Sequence, residues 1–221
     1  MAVALIVAAG RGERLGSGRP KALVTVSGRP LVDWSVLTLQ SVASVERIVV
    51  ALPEDALAYA PEGVIAVAGG ATRSHSVRAA LAASEYGDPV IVHDAARPLA
   101  SADLFRRAVL DLERHEVDAV IAAAPVADTI KEVGADGRTV VRTLDRSQLW
   151  AVQTPQVFRR EVLTRVLEAP DEVLVDATDD AWLVEQAGGV VKIVEADPGN
   201  FKITTRFDLE LAEFVLGRRA A

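Results

Sequence analysis

The 221-residue chain contains no cysteine, which excludes disulfides and thiolate metal centres and accords with a reducing cytoplasm. It also lacks a hydrophobic run long enough to span a bilayer. The apolar start, MAVALIVAAG, is too short for a membrane helix and has no basic stretch of the signal-peptide kind. Positive charge is in deficit: 24 Lys and Arg face 31 Asp and Glu, a formal net charge of -7. That balance argues against duplex DNA or RNA as a partner. No internal repeat or low-complexity tract is visible. What is present is the composition of a soluble globular protein, half hydrophobic and a quarter charged, at a length that suits one domain spanning 1–221.

Short apolar runs recur at 3–7, 47–52, 64–70, 89–98, 118–126 and 190–197. They lack strict polar alternation, which predicts strands buried on both faces, as in parallel sheets. Segments with helical spacing lie between them. Leu104, Phe105, Ala108, Val109 and Leu112 form one apolar face behind Ser101, a candidate N-cap. Phe207, Leu211, Phe214 and Val215 form another, opened by Thr205 and Asp208 at capping-box spacing. TDDAWLVEQAGG reads as a helix with acids in its first turn and glycines past its end. The alternation predicts an α/β fold, a mainly parallel sheet flanked by helices. Residues 127–154 break the rhythm with a turn, GADGR, between TIKEV and TVVRTL. This is a hairpin signal, either a surface decoration or an arm that packs on a partner.

The first predicted strand runs into a loop, GRGERLGSGRPK, carrying Gly10, Gly12, Gly16 and Gly18 among Arg11, Arg14, Arg19 and Lys21. In an open α/β sheet, ligands bind at the carboxyl ends of the strands, and glycines there let backbone amides approach a phosphate. The loop fits neither familiar phosphate motif: Lys21 is followed by Ala22 rather than Ser or Thr, and Leu15 occupies the third glycine place of the dinucleotide fingerprint. Two readings stand. Arg14 and Lys21 fold around a polyphosphate, or the loop is solvated and its charges incidental.

Seven stretches, in order, carry a resemblance that decides between them: IVAAGRGERLGSGRPKAL, GGATRSHSV, VHDAARP, APVADTIK, TLDRSQLWAVQTPQVF, TDDA and FKITT. Together they resemble the 2-C-methyl-D-erythritol 4-phosphate cytidylyltransferases of the non-mevalonate isoprenoid pathway over nearly the whole chain. The resemblance implies a Rossmann-like nucleotidyltransferase fold with an inserted hairpin dimerisation arm. It implies a transferase joining methylerythritol phosphate to CTP with release of pyrophosphate. Arg14 and Lys21 would then stabilise charge in the transition state, an electrostatic task rather than a covalent one.

The same resemblance places the backbone of Ala8, Ala9, Gly10 and Gly12, with Gly70, Ser76 and Ala95, around the nucleotide. Arg146 and Lys202 would grip the acceptor phosphate, with Thr129, Thr154 and Thr178 around that pocket. Ala71 stands where relatives carry an acid. The arm would reach a neighbouring subunit in a homodimer, making the site composite. Asp94 ends a predicted buried strand, where a carboxylate suits Mg²⁺; the alternative is a cap or turn residue. His93 is read as a buried histidine bonded to backbone, because an anionic phosphate nucleophile needs no base. Two other functions share parts of this pattern: a cytidylyltransferase for another alditol phosphate such as ribitol 5-phosphate, and a nucleotide-binding regulatory module without turnover.

Overall fold

The computed structural model describes residues 1–12, 15–16 and 18–219. The chain opens with β1 (Ala2–Val7), a small hairpin of β2 (Thr25–Val26) and β3 (Arg29–Pro30), and α1 (Leu31–Gln40). Next come β4 (Val45–Leu52), β5 (Ile65–Ala68), α2 (Arg73–Ala83), β6 (Val90–Asp94), α3 (Ala102–Arg114) and β7 (Ala119–Pro125). An excursion carries β8 (Lys131–Val133) and β9 (Val140–Thr143). Then follow β10 (Trp150–Phe158), α4 (Arg160–Leu167), α5 (Asp171–Asp176), α6 (Asp180–Gln186), β11 (Val191–Glu195) and α7 (Arg206–Arg219).

Seven strands form one sheet in the order β11-β7-β10-β6-β1-β4-β5. All pairings are parallel except those of β10, which runs against both β6 and β7. Successive residues of a strand face opposite sides, so β1 feeds two cores. Ala4 and Ile6 join α1 and α3 on one face; Val3 and Leu5 join α2, α4 and α6 on the other. This is why the run shows no polar alternation. From β1 the chain first adds β4 and β5 on one side, then crosses to place β6 on the other. The reversal leaves a crevice at the carboxyl ends of β1 and β6, where such sheets take their ligands.

The helix signals hold at their termini. Ser101 Oγ accepts from the Leu104 amide at 3.2 Å. Thr205 and Asp208 form the reciprocal capping box, at 3.2 Å and 2.7 Å. The apolar face read for the last helix is corrected. Phe207, Leu211 and Phe214 are exposed, Phe207 by 71%. Val215 of that face does pack inward, but the helix is held chiefly through Leu209, Ala212 and Leu216 onto Val26, Leu31, Leu99 and Ile203. Both stripes have 3-and-4 spacing, and the small β2–β3 hairpin beneath accepts the one with the smaller side chains.

A second correction concerns the excursion. Residues 150–154, assigned from sequence to the hairpin segment, lie in β10 of the main sheet. The hairpin itself is β8 paired antiparallel with β9. Its turn is held by Asp136 Oδ1, which accepts from the amides of Arg138 and Thr139, both at 2.9 Å. Val133, Val140 and Val141 on it are exposed. Among the described residues no helix is long and apolar enough to cross a membrane.

Candidate active site

The crevice holds a cleft of about 250 Å³. It is lined by Ala8, Ala9 and Gly10 after β1, by Lys21 and Ala22, by Gly70 to Arg73 and Ser76 at the start of α2, by Asp94 to Ala96 after β6, and by Lys202. Lys21 is brought back to the strand end because its amide donates to the Gly10 carbonyl at 3.1 Å. Gly12 makes that return possible: its φ is +69°, and a Cβ there would lie 2.7 Å from Lys21 Cβ. The amides of Ala9, Gly10 and Gly12 have no acceptor among the described residues, so this stretch offers donors to an anion. Arg14, the other cation assigned to the loop, lies outside the described residues.

The opposite wall is built by GGATRSHSV. Gly69 passes so close to β1 that a Cβ on it would meet Ala9 Cβ at 2.3 Å. Ser76 is buried, and its hydroxyl is engaged within the loop. It donates to the Thr72 carbonyl at 3.0 Å and accepts from the Gly70 amide at 3.1 Å. It therefore shapes the wall that the nucleotide was expected to meet. Ala71 lines the cleft with no side-chain donor or acceptor.

The floor is a charge cluster. Asp94 Oδ1 accepts from Arg73 Nε at 3.1 Å, and Oδ2 accepts from Lys202 Nζ at 2.6 Å. Arg73 Nη1 also donates to Asp180 Oδ2. Burial alone would raise the Asp94 carboxyl, but Arg73 and Lys202 outweigh it and hold it well below the ordinary carboxylate range. Asp180 has one cation beside it, with Asp179 and Asp94 nearby, so burial dominates and pushes its carboxyl up. Burial also opposes the charge on Arg73, yet its two carboxylates raise it above the ordinary guanidinium value. Sequence reading missed Arg73 and Asp180. The one local signal was an arginine inside a glycine-bounded motif.

Behind Asp94, Thr154 Oγ1 accepts from the Asp94 amide at 3.1 Å and lies 2.9 Å from His93 Nδ1. Thr154 is thus buried beneath the cleft and supports Asp94. His93 is buried as expected, with a backbone hydrogen bond at Arg97, and this hydroxyl is a further partner at Nδ1. Burial pushes the His93 imidazole down to about 4, so it is neutral at pH 7. Lys202 rides on a segment pinned from several sides. Arg97 Nη1 donates to the Asn200 carbonyl at 2.7 Å, Asn200 Nδ2 donates to Gln153 Oε1 at 2.7 Å, and the Ile203 amide donates to Ala96 O at 2.8 Å.

Gly12 and Thr154 do not themselves line the cleft, nor do three further assigned residues in their own chain. Thr129 and Thr178 are exposed and do not line it. Arg146 is exposed at the base of the hairpin, where Nη1 donates to the Ala127 carbonyl.

Among the described residues no three His, Cys, Asp or Glu side chains converge as a metal cage, and Asp94 is the cleft's one carboxylate. A carboxylate has about four lone-pair directions, so Asp94 keeps capacity beyond Arg73 and Lys202. It fits Mg²⁺ as a single protein ligand, the other positions being of the kind that phosphate and water fill.

The cleft thus lies at the switch point of the sheet, with the cations Lys21, Arg73 and Lys202 among its described lining. The family model for 2-C-methyl-D-erythritol 4-phosphate cytidylyltransferase, IspD, matches residues 2–218. The chain belongs to that family. The cytidylyltransferase of Nocardia farcinica is 50% identical, over 99% of this chain and 95% of the relative. That of Synechocystis is 42% identical, over 98% and 97%. The crystal structure of the Thermus thermophilus cytidylyltransferase superposes with a TM-score of 0.80 at 33% identity, over 97% and 98% of the two chains. The 4-diphosphocytidyl-2C-methyl-D-erythritol synthase of Anaerococcus prevotii gives 0.83 at 29% identity, over 99% of each. These cytidylyltransferases share the mostly parallel sheet with flanking helices, so the Rossmann-like nucleotidyltransferase fold implied by the sequence is the fold observed.

Proposed function

We propose that this cleft is where the chain performs its family's reaction, transfer of the cytidylyl group of CTP to 2-C-methyl-D-erythritol 4-phosphate. A phosphate oxygen of the acceptor attacks the α-phosphorus in line. The bond to the β-phosphate oxygen breaks, pyrophosphate leaves with its electron pair, and 4-diphosphocytidyl-2-C-methyl-D-erythritol forms. The observation that carries this reading is that Lys21 and Lys202 line one cleft together with Asp94, which accepts from Lys202.

Lys21, with Arg14, holds the triphosphate and stabilises the charge that grows on the equatorial and leaving oxygens. The amides of Ala9, Gly10 and Gly12, without an acceptor among the described residues, add donors. Lys202, reached from Asp94 and 42% exposed in its side chain, meets the acceptor phosphate. Thr154 holds Asp94 from behind. Asp94 is the side chain that would hold Mg²⁺, which when bound supplies neutralising charge to the phosphates. His93 takes no proton, since the attacking phosphate is already anionic. The backbone around Gly70 and Ala95 surrounds the nucleoside, which reads cytosine through the N4 amino group that uracil lacks.

The hairpin belongs to a second copy's site in this reading. A two-stranded hairpin is marginal alone, and its exposed valines suit a protein surface. Arg146, which does not line the cleft of its own chain, then completes the acceptor pocket of the partner in a homodimer, together with Thr129. Both substrates are small and soluble, and the cysteine-free composition suits a cytoplasmic enzyme.

The test is pyrophosphate release with Mg²⁺ across CTP, UTP and ATP and a set of polyol phosphates. CTP with methylerythritol phosphate is expected to exceed every other combination. Equal turnover of UTP, or preference for ribitol 5-phosphate, would overturn the assignment.

A further inference from the structure

Asp180 is wholly buried, and its carboxylate has one recorded partner among the described residues. Oδ2 accepts from Arg73 Nη1, while Oδ1 has none. Its neighbour Asp179 has the local duties: it caps α6 through the Trp182 amide and accepts from Gln156 Nε2, both at 2.8 Å. Asp180 has no such task. A buried ion pair is weak evidence for stability, because apolar side chains of similar volume serve as well. What the carboxylate adds is direction.

A guanidinium is a planar fork whose donors lie at fixed angles. Arg73 uses Nε on Asp94 Oδ1 and Nη1 on Asp180 Oδ2. Two anchors on different elements, the end of β6 and the start of α6, fix the plane of the fork. With Asp180 absent, nothing described holds Nη1. The fork is then free to turn and take both oxygens of Asp94, the bidentate geometry that arginine and carboxylate prefer. Oδ2 would be drawn from Lys202, which it meets at 2.6 Å.

We propose that Asp180 is a positioning residue for cytidylyl transfer: anchored on α6, it confines Arg73 to one oxygen of Asp94 and leaves the other to Lys202. The inference rests on the reading of the cleft as the transfer site. It goes beyond that reading by tying a side chain outside the cleft to the orientation of the catalytic carboxylate.

The decisive experiment is a double-mutant cycle on kcat with Asp180→Asn, which keeps the shape and removes the charge, and Arg73→Met. Asp180→Asn is expected to lower kcat about tenfold with the KM for CTP within about threefold. In the Arg73→Met background the same change should alter kcat less than about twofold, since its route is gone. Equal losses in both backgrounds, or no loss in the first, overturn the proposal. Arg73→Lys keeps the charge without the fork and should match the Asp180→Asn loss; wild-type kcat there also overturns it. A readout without turnover separates this idea from the functional reading. Exchange between the two Nη resonances of Arg73, followed by ¹⁵N NMR, should be slow in the wild type and faster in Asp180→Asn. Unchanged exchange refutes the positioning role even if the wild type proves to use other substrates.

Discussion

Lys202 Nζ lies 2.6 Å from Asp94 Oδ2, although 108 residues separate them in the chain. The two ends of this contact differ in burial: the side chain of Lys202 is 42% exposed and that of Asp94 only 10%. Their removal should therefore have unequal consequences. Lys202→Met leaves Asp94 paired with Arg73, and an exposed partner contributes at most about 1 kcal/mol. Its melting temperature should change by a few degrees at most while kcat falls about a hundredfold. Asp94→Asn removes the anion shared by Arg73 and Lys202 in a buried cluster, and such losses cost on the order of 3 kcal/mol. It should lose stability in urea as well as rate. Equal destabilisation by the two substitutions would contradict the placement of Lys202 as the exposed partner.

The buried His93 makes a pH prediction with a definite sign. Burial holds it neutral in the folded protein down to about 4, against an ordinary value of 6.5. Between those values the unfolded chain binds a proton that the folded chain refuses. The stabilising effect is full above about pH 6.5 and is lost as pH falls toward 4. Between pH 7 and pH 5 the linkage amounts to about 2 kcal/mol. Urea unfolding at the two pH values should show the wild type losing that much more than His93→Gln. Parallel losses would mean that His93 titrates normally in the fold.

The hairpin is tested by mixing subunits. If Arg146 serves the neighbouring site, Lys21→Met and Arg146→Ala homodimers are each nearly inactive, while a mixed dimer carries both lesions at one site and none at the other. Refolding equal amounts together should restore activity toward about a quarter of wild type, given random exchange and independent sites. No recovery, with exchange confirmed by tagged subunits, would place Arg146 in its own chain's site.

The parallel core was legible because strands buried on both faces leave continuous apolar runs, as at Val3 to Val7. The glycine loop was legible because Gly10 and Gly12 stand at a strand end with cations around them. β10 was not read as a strand of the sheet. Gln153, Thr154 and Gln156 are polar yet buried, and they meet Asn200, His93 and Asp179 from other parts of the chain. No local pattern shows such partners. Arg73 was missed for the same reason, its carboxylates lying 21 and 107 residues away. On α7 two apolar stripes share the helical period, and only the surface beneath selects between them.

The account turns on Lys21 acting on charge that develops as CTP reacts, and the steady-state kinetics of Lys21→Met with CTP and methylerythritol phosphate address this most directly. Loss of a contact made chiefly in the transition state is expected to lower kcat by roughly 10²–10³ while the KM for CTP moves only a few-fold. A raised KM with kcat preserved would contradict it, by showing that the cleft holds the nucleotide without stabilising its transfer.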